Sequence, residues 1–180
     1  MQEPDDKDLV RRCLTGDVKA FEVLLERYEK PVFNVALRMV ANSDDAADVT
    51  QSVFVKAYEK LNSYDDHHKF FSWLYKIAVN TSLNLLEQKK RGDLLGNEDV
   101  AEEHSLDETI EAAERVEKLE DAILQLPVEY RIVIVLKHFQ DLSYEEMGMV
   151  LELPESTVKS RLFTARQMLK DLLTKSGLLE

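Results

Sequence analysis

Residues 143–166 read SYEEMGMVLELPESTVKSRLFTAR, a stretch in which two helical patterns flank a break at Leu153-Pro154. On each side of the break, apolar residues recur at three- and four-residue steps, which is typical of helices. Ser143 and Glu146 have the spacing of a capping box at the start of the first helix. A short helix, a tight turn and a longer helix from about Ser156 to Leu173 predict a helix-turn-helix.

The second helix of this hairpin has the residue types that DNA recognition requires. Its first turn carries small hydroxyls, which can approach phosphates beside free backbone N–H groups. Residues 155–175 hold five bases and two acids in a chain of net charge -12. An ordinary helical hairpin with a charged outer face is the alternative, but VKSR directly after a Pro-x-Ser-Thr turn favours DNA. The candidate duplex contacts are Ser156, Thr157, Lys159, Ser160, Arg161, Phe163 and Arg166.

Helical spacing continues upstream of the hairpin. Residues 116–126 predict a helix that stops before Pro127, and Val128–His138 predicts a second one. The run Ile132–Leu136 could form a strand by composition. It lies in a helical register with Tyr130 and Phe139, so we interpret it as helix.

The N-terminal half also has the periodicity of helices. A short helix ends before Gly16-Asp17, and the next contains Pro31, which either kinks it or starts another helix. Residues 42–45 form a turn and cap for a helix that continues to about Leu61. A polar loop, Asn62–His68, precedes a densely apolar helix from Lys69 to Leu86. Only five glycines and four prolines are present, which argues against sandwiches and barrels.

The negative charge is concentrated between the two halves. Residues 92–114 hold nine acids and no lysine or arginine, whereas the flanking parts are nearly neutral. Such a segment is either a solvated linker or an acidic strip that competes for a basic, nucleic-acid-like channel. We therefore predict an all-α protein with two small helical domains, residues 1–91 and 115–180, joined by the acidic linker 92–114. We expect the domains to move relative to each other unless a partner clamps them.

Several functional classes are disfavoured by the sequence. The start of the chain is not a signal peptide, and no apolar run approaches a membrane span. Cys13 is a single cysteine on an apolar stripe, and the four histidines lack metal-ligand spacing. No phosphate loop or nucleophile motif is found. We expect no enzymatic activity, no metal, no cofactor and no small-molecule substrate.

The chain resembles the extracytoplasmic-function (ECF) sigma factors of the sigma-70 superfamily in two places. LPVEYRIVIVLKHFQDLSYEE and the hairpin stretch resemble the C-terminal DNA-binding domain of that family. GDVKAFEVLLERY, DAADVTQSVFVKAYEKLNSY and KFFSWLYKIAVNTSLN resemble successive parts of its region 2 domain. The two motif sets stand in the family's order and cover nearly all of the chain.

This resemblance implies a promoter-recognition subunit of bacterial RNA polymerase. Region 2 would dock on the polymerase clamp and read the melted -10 element, and region 4 would contact the flap and read the duplex -35 element. The implied partners are core RNA polymerase, promoter DNA and an anti-sigma factor. The implied location is cytoplasmic, or at the inner membrane if a membrane-bound anti-sigma factor holds the protein there.

The resemblance also assigns residues to the polymerase-binding helix: Asp48, Gln51, Phe54, Val55 and Tyr58. Gln51, Val55 and Tyr58 lie one turn apart, so a partner helix could lie along them. We interpret Phe54 as a core residue and Gln51 as a contact.

For the melted -10 strand, the family pattern points to an aromatic cluster with flanking cations. Exposed bases can stack on aromatic faces, and an amide can read a base edge. Trp73, Leu74 and Ile77 also suit the core, and Asn80 is the stronger candidate for base contact. The candidate residues are Tyr64, Lys69, Phe70, Phe71, Trp73, Lys76 and Asn80.

Four positions depart from the family pattern. Ser52 replaces an acid, Thr164 replaces a base, Gly148 stands where a small helix former is usual, and Glu152 stands where a turn glycine is common. The competing hypothesis is a helix-turn-helix regulator that binds operator DNA without a sigma role. That hypothesis leaves the N-terminal domain unexplained.

Overall fold

The structure, a computed structural model, describes residues 4–93 and 110–179. Within these ranges the chain forms helices and turns and contains no strand, which confirms the all-α prediction. A 3-10 turn, Leu61–Ser63, follows α3, and a π-helical turn, Val135–Phe139, extends α6. The helices are α1 Asp6–Leu14, α2 Val18–Val40, α3 Ser43–Glu59, α4 Phe70–Asp93, α5 Ile110–Gln125, α6 Val128–Ile134, α7 Tyr144–Leu151 and α8 Glu155–Lys175.

Helices α1 to α4 form the N-terminal domain, in which α2, α3 and α4 pack on one another. Side-chain caps begin two of them: Asp17 accepts from the Ala20 N–H at 3.3 Å, and Asn42 Oδ1 accepts from the Asp45 N–H at 2.9 Å. Helix α2 runs uninterrupted through Pro31, so the alternative of a new helix at that proline is wrong. The long α2 reaches from the α1 end of the domain to the C-terminal domain.

The C-terminal domain is built from α5 to α8, with α6 and α7 packed against α8. The predicted capping box is confirmed, because the Glu146 N–H donates to Ser143 Oγ at 3.1 Å and the Ser143 N–H donates to Glu146 Oε2 at 2.7 Å. The ambiguous run Ile132–Leu136 is helical and buried, as its register with Tyr130 and Phe139 predicted. A helix that is buried on every side has a continuous apolar sequence, so composition alone does not distinguish it from a buried strand.

The two domains are packed together in this structure, and their relative motion in the free protein stays a prediction. One cluster of buried apolar side chains extends through both. The Arg131 guanidinium donates to the Met39 carbonyl at 2.7 Å, and the Tyr75 hydroxyl donates to Gln140 Oε1 at 2.6 Å. These partners stand 92 and 65 positions apart in sequence, so no local pattern could predict them.

The ends of the predicted linker are helical. Helix α4 continues to Asp93 and α5 begins at Ile110, so residues 92–93 and 110–114 lie in helices. The centre of the linker, residues 94–109, lies outside the described residues, and with it the acids Glu98, Asp99, Glu102 and Glu103. No helix within residues 4–93 and 110–179 combines the length and the apolar character needed to cross a membrane.

Candidate nucleic-acid and polymerase interfaces

The predicted duplex-binding residues Lys159, Ser160, Phe163 and Arg166 form the exposed side of α8, which is called the recognition face below. The opposite side of the helix, at Val158, Leu162 and Ala165, is fully buried. Phe163 is 66% exposed, an unusual position for a large aromatic ring on a charged helix. Lysine, arginine, a hydroxyl and an apolar ring on one helix face can contact phosphates, base edges and thymine methyl groups together.

The other predicted duplex contacts frame this face. Ser156 is exposed in the first turn of α8, whereas Thr157 and Arg161 are only half-exposed and lie towards the sides of the helix. Lys159 Nζ lies 3.2 Å from Glu155 Oε2, within its own helix, and 5.2 Å from the centroid of the Tyr144 ring. An intrahelical pair of this kind is exposed and weak, so it can exchange for a phosphate.

Arg166 has a neighbour that the sequence did not reveal. Its Nε donates to Nε2 of His138, at the end of the π-helical turn, over 3.2 Å. Burial lowers the pKa of His138 below its ordinary value, and the positive charges of Arg166 and Lys137 lower it further. The neutral ring can therefore accept this hydrogen bond and hold the guanidinium on the recognition face.

The turn between α7 and α8 explains two of the unusual residues. The Leu153 N–H donates to the Gly148 carbonyl at 2.9 Å, and a Cβ at position 148 would lie only 2.8 Å from the Leu153 carbonyl oxygen. Glycine at this position therefore allows the tight approach of the turn. Glu152 has a φ of 55°, the left-handed conformation that glycine adopts without strain and glutamate does not.

The α2–α3 groove is a second surface, formed by residues of α2 and α3. Its volume is 860 Å³, and its walls are mainly apolar and aromatic. Val55 and Tyr58 are 52% and 53% exposed along its rim. The Tyr58 ring stands edge-on to Phe21 at 5.0 Å, which fixes its orientation. The residues that line it include Phe21, Leu25, Phe33, Gln51, Val55 and Tyr58.

Four of the five predicted polymerase-binding residues line this groove: Gln51, Phe54, Val55 and Tyr58. Asp48 and Gln51 are exposed with Val55 and Tyr58, at helical spacing along α3. Phe54 is 6% exposed and packs edge-on against Phe21 in the lining of the groove. Phe54 is thus buried and Gln51 accessible, as the interpretation of the sequence had them. Val55 and Tyr58, exposed beside the polar Gln51 at successive turns of α3, suit a helical partner.

The α4 aromatic face is the third surface, formed by Tyr64, Phe71, Trp73, Lys69 and Lys76. The three rings are half-buried and the two ammonium groups reach solvent. The Tyr64 hydroxyl donates to the His68 carbonyl at 2.5 Å and closes the loop that precedes α4. Burial and nearby acids raise the pKa of Tyr64 to about 12, so its hydroxyl keeps its proton.

Phe70 was predicted to contact the melted strand, but the structure buries it. Its side chain is 2% exposed, and its ring packs on those of Tyr28, Tyr64 and Trp73 at 5.5–5.6 Å. A ring enclosed in this way has no free face on which a base could stack. Phe70 therefore supports the aromatic face from below, whereas Asn80, ten residues along α4, is exposed.

Comparisons with known proteins identify both domains. Residues 24–92 match the family model of sigma-70 region 2, and residues 116–169 match that of sigma-70 region 4. The chain is 34% identical to the RNA polymerase sigma-H factor of Pseudomonas aeruginosa, over 93% of each chain. It is 36% identical to the ECF RNA polymerase sigma-E factor of Haemophilus influenzae, over 92% of this chain and 94% of that one. The chain belongs to the ECF sigma factor family.

A solved structure agrees with the fold of this sigma factor. CnrH, in complex with the cytosolic domain of CnrY, superposes with a TM-score of 0.73 at 26% identity, over 94% of this chain and 97% of CnrH. The region 2 model ends one residue before the last residue of α4, and the region 4 model begins inside α5. The family predicted from the sequence is thereby confirmed.

The structure adds four residues that sequence reasoning did not include in the sites of this sigma factor. His138 contacts Arg166, and Glu146 and Glu152 contact the two lysines of the α4 aromatic face. Ser72 is buried behind that face, and its Oγ has no hydrogen-bond partner among residues 4–93 and 110–179. Of these four residues, only Glu152 was noticeable in the sequence, because a glutamate stood where a turn glycine is common.

Proposed function

We propose that this ECF sigma factor initiates transcription through three surfaces that act on different partners. The α2–α3 groove binds core RNA polymerase, the recognition face of α8 reads the -35 element, and the α4 aromatic face with Asn80 holds the melted -10 strand. The observation that carries the proposal is the presence, on one chain, of a duplex-binding helix and a separate apolar groove. A simple operator-binding regulator has no use for the second surface.

The recognition face suits duplex DNA because its chemistry and shape fit the major groove. An α-helix fits the width of that groove, and the four exposed groups lie on the side of α8 that faces away from the core. Lys159 and Arg166 supply positive charge to a protein that is otherwise strongly acidic. Such a local basic face steers the C-terminal domain towards DNA although the whole chain is negative.

The α2–α3 groove suits a helical element of the polymerase clamp. Gln51, Val55 and Tyr58 follow each other at successive turns, and Phe21, Leu25 and Phe33 of α2 form the opposite wall. An apolar row flanked by a polar amide can give both affinity and register to a partner helix. The region 4 domain contacts the polymerase flap, as the family resemblance implies.

The α4 aromatic face suits single-stranded DNA. Phe71 and Trp73 offer ring faces, Lys69 and Lys76 offer charge for phosphates, and Asn80 offers an amide for a base edge. Strand separation exposes bases that can use such a surface, which explains why duplex and single-strand contacts lie on different helices.

An anti-sigma partner is the further element of the proposal. CnrH was solved in complex with the cytosolic domain of CnrY, so a fold of this kind accommodates a second protein chain. For this sigma factor we propose a cytoplasmic location, with attachment to the inner membrane only through a membrane-bound partner.

The test is in vitro transcription with core polymerase on a promoter library. We expect the protein to direct initiation from a subset of promoters and to bind duplex DNA weakly without polymerase. Asn80→Ala should reduce promoter opening while polymerase binding is retained. Tight operator binding by the free chain, without any stimulation of transcription, would instead establish the regulator hypothesis.

A further inference from the structure

Helix α7 of the helix-turn-helix lies directly on the α4 aromatic face. Lys69 Nζ lies 2.7 Å from Glu146 Oε1, and Lys76 Nζ lies 2.8 Å from Glu152 Oε1. The two lysines proposed to hold strand phosphates are thus each paired with a carboxylate from the other domain. These two ion pairs are called the α4–α7 latch below.

A cavity of 440 Å³ lies between α4 and α7, beside the latch. One wall contains Ser72, Trp73 and Lys76 of α4 with Tyr64 from the preceding loop. The opposite wall contains Gly148 and Met149 of α7 with the C-cap residue Glu152. Buried hydroxyls normally have a hydrogen-bond partner, yet Ser72 Oγ has none within the described parts of the chain. The packed domains therefore cover the Trp73 ring and the Ser72 hydroxyl, and the hydroxyl has no hydrogen-bond partner within the described residues.

Glu152 is the C-cap of α7, and its backbone has the left-handed conformation that ends the helix. Its φ of 55° lies in the left-handed region, where residues other than glycine and asparagine are uncommon. Strain of this kind persists where the surrounding structure holds it, and it is concentrated at switch regions and ligand clamps. At position 152 the strained residue is the one whose side chain reaches across to Lys76.

We propose that the α4–α7 latch is autoinhibitory, with Glu146 and Glu152 occupying on Lys69 and Lys76 the positions of two strand phosphates. In the closed chain, α7 covers the α4 aromatic face, and single-stranded DNA gains access only when α7 moves away. This inference rests on the proposed role of α4 in strand binding and adds its regulation. It links the two DNA-binding surfaces, because the hairpin that reads duplex DNA also covers the strand-binding face.

The strength of the latch suits a switch. Lys69 and Glu152 are largely solvated, so their pairs contribute little free energy and are screened by salt. Burial raises the pKa of the Glu146 carboxyl, but bonds from Lys69 and Ser143 outweigh it and hold this pKa below its ordinary value. Glu146 is therefore charged at neutral pH, as a phosphate mimic must be. Competition by DNA phosphates or by polymerase can break such pairs.

The experiment uses the full-length chain and its single tryptophan, Trp73, which lies in the cavity. The test variant is Glu146→Gln/Glu152→Gln, and Glu145→Gln is the control, an exposed acid on the same helix. Glutamine at position 146 preserves the capping box. The readouts are quenching of Trp73 by acrylamide and binding of a fluorescent single-stranded DNA pool with a randomised centre.

We expect the double variant to expose Trp73 to quencher and to bind the DNA pool about fivefold more tightly than the parent, with Glu145→Gln close to the parent. The single variant Glu152→Gly should act in the same direction, because glycine relieves the strain at φ 55° and removes the carboxylate. Glu152→Gly therefore tests the latch independently if the double variant does not fold.

The outcomes separate the latch from the proposed function. Unchanged quenching and binding in both test variants would overturn the latch, and so would an equal gain in Glu145→Gln, which would show a general charge effect. Greater quenching of Trp73 without DNA binding by any variant would support the latch and overturn the strand-binding role of α4.

Discussion

Arg38 Nη2 donates to Glu120 Oε1 at 2.7 Å and thereby joins α2 to α5 between residues 82 positions apart. The same guanidinium lies 3.9 Å from the centroid of the Phe139 ring, on the π-helical turn. One arginine of region 2 therefore contacts two elements of the region 4 domain. Together with the hydrogen bond from Arg131 to Met39, this contact holds the domains closed on the side of the molecule formed by α2.

The contribution of this contact can be measured in a double-mutant cycle of Arg38→Ala and Glu120→Ala. Both side chains are partly buried, so we expect a coupling free energy of about 1 kcal/mol. Arg38→Ala alone should cost more than Glu120→Ala because it also removes the contact with Phe139. Urea unfolding gives the free energies, and the exposed Glu87–Arg91 pair on α4 is the control, with a coupling near zero.

Gly148→Ala should destabilise the protein although alanine is the better helix former. Helix propensity favours the change by about 1 kcal/mol, but the new Cβ would lie 2.8 Å from a backbone oxygen that cannot move freely. We expect a net loss of about 1–2 kcal/mol in the free energy of unfolding. Gly92→Ala in α4 meets nothing within 4 Å and should be neutral or stabilising. Equal effects of the two changes would contradict the close approach at the turn.

Val55→Asp should separate polymerase binding from folding. Val55 is exposed in the α2–α3 groove, so a charge there leaves the core intact and disrupts an apolar contact. We expect affinity for core polymerase to fall by about tenfold or more. Val18→Asp, at an exposed valine outside the groove residues, is the matched control and should bind normally.

Phe54→Ala should instead lower the free energy of unfolding by about 3–5 kcal/mol.

Lys159→Ala and Arg166→Ala should weaken recognition of the -35 element. A side chain that reads a base edge should lose about 1–3 kcal/mol and relax the preference at one base pair. A side chain that contacts only phosphate should reduce the salt slope by about one and leave the preference unchanged. Binding of holoenzyme to promoter variants at several salt concentrations measures both. Lys175→Ala, at the far end of α8, should change neither quantity.

The pKa of His138 should respond to Arg166. Burial lowers this pKa first, and the charges of Arg166 and Lys137 lower it further, so Arg166→Ala should raise it towards the ordinary value. Because the folded-state pKa is depressed, this histidine contributes stability above its unfolded pKa of 6.5, and that stability is lost as pH falls from 6.5 through the lower folded-state pKa. Titration of the ring protons by NMR gives the pKa in parent and variant. Arg161→Ala should leave it unchanged, and an equal shift would reject the contact.

The helices and their chemistry could be read from the sequence because they depend on neighbours three or four residues apart. The periodicity of apolar residues gave both helical sets, and Ser143 with Glu146 gave the start of α7. The same spacing separated Phe54 from Gln51 on α3 and placed Lys159 and Arg166 on one face of α8. Short-range geometry is enough for such predictions.

The tertiary structure decided what those helices cover. Phe70 and Trp73 belong to one aromatic run, and only the packing of Tyr28 and Tyr64 determines that the first is enclosed. The contacts between the domains join residues far apart in sequence, such as Lys76 and Glu152, 76 positions apart, and Arg131 and Met39, 92 positions apart. Contacts at this separation are selected by the shape and charge of complete helix faces, and a linear pattern records only which residues share a face.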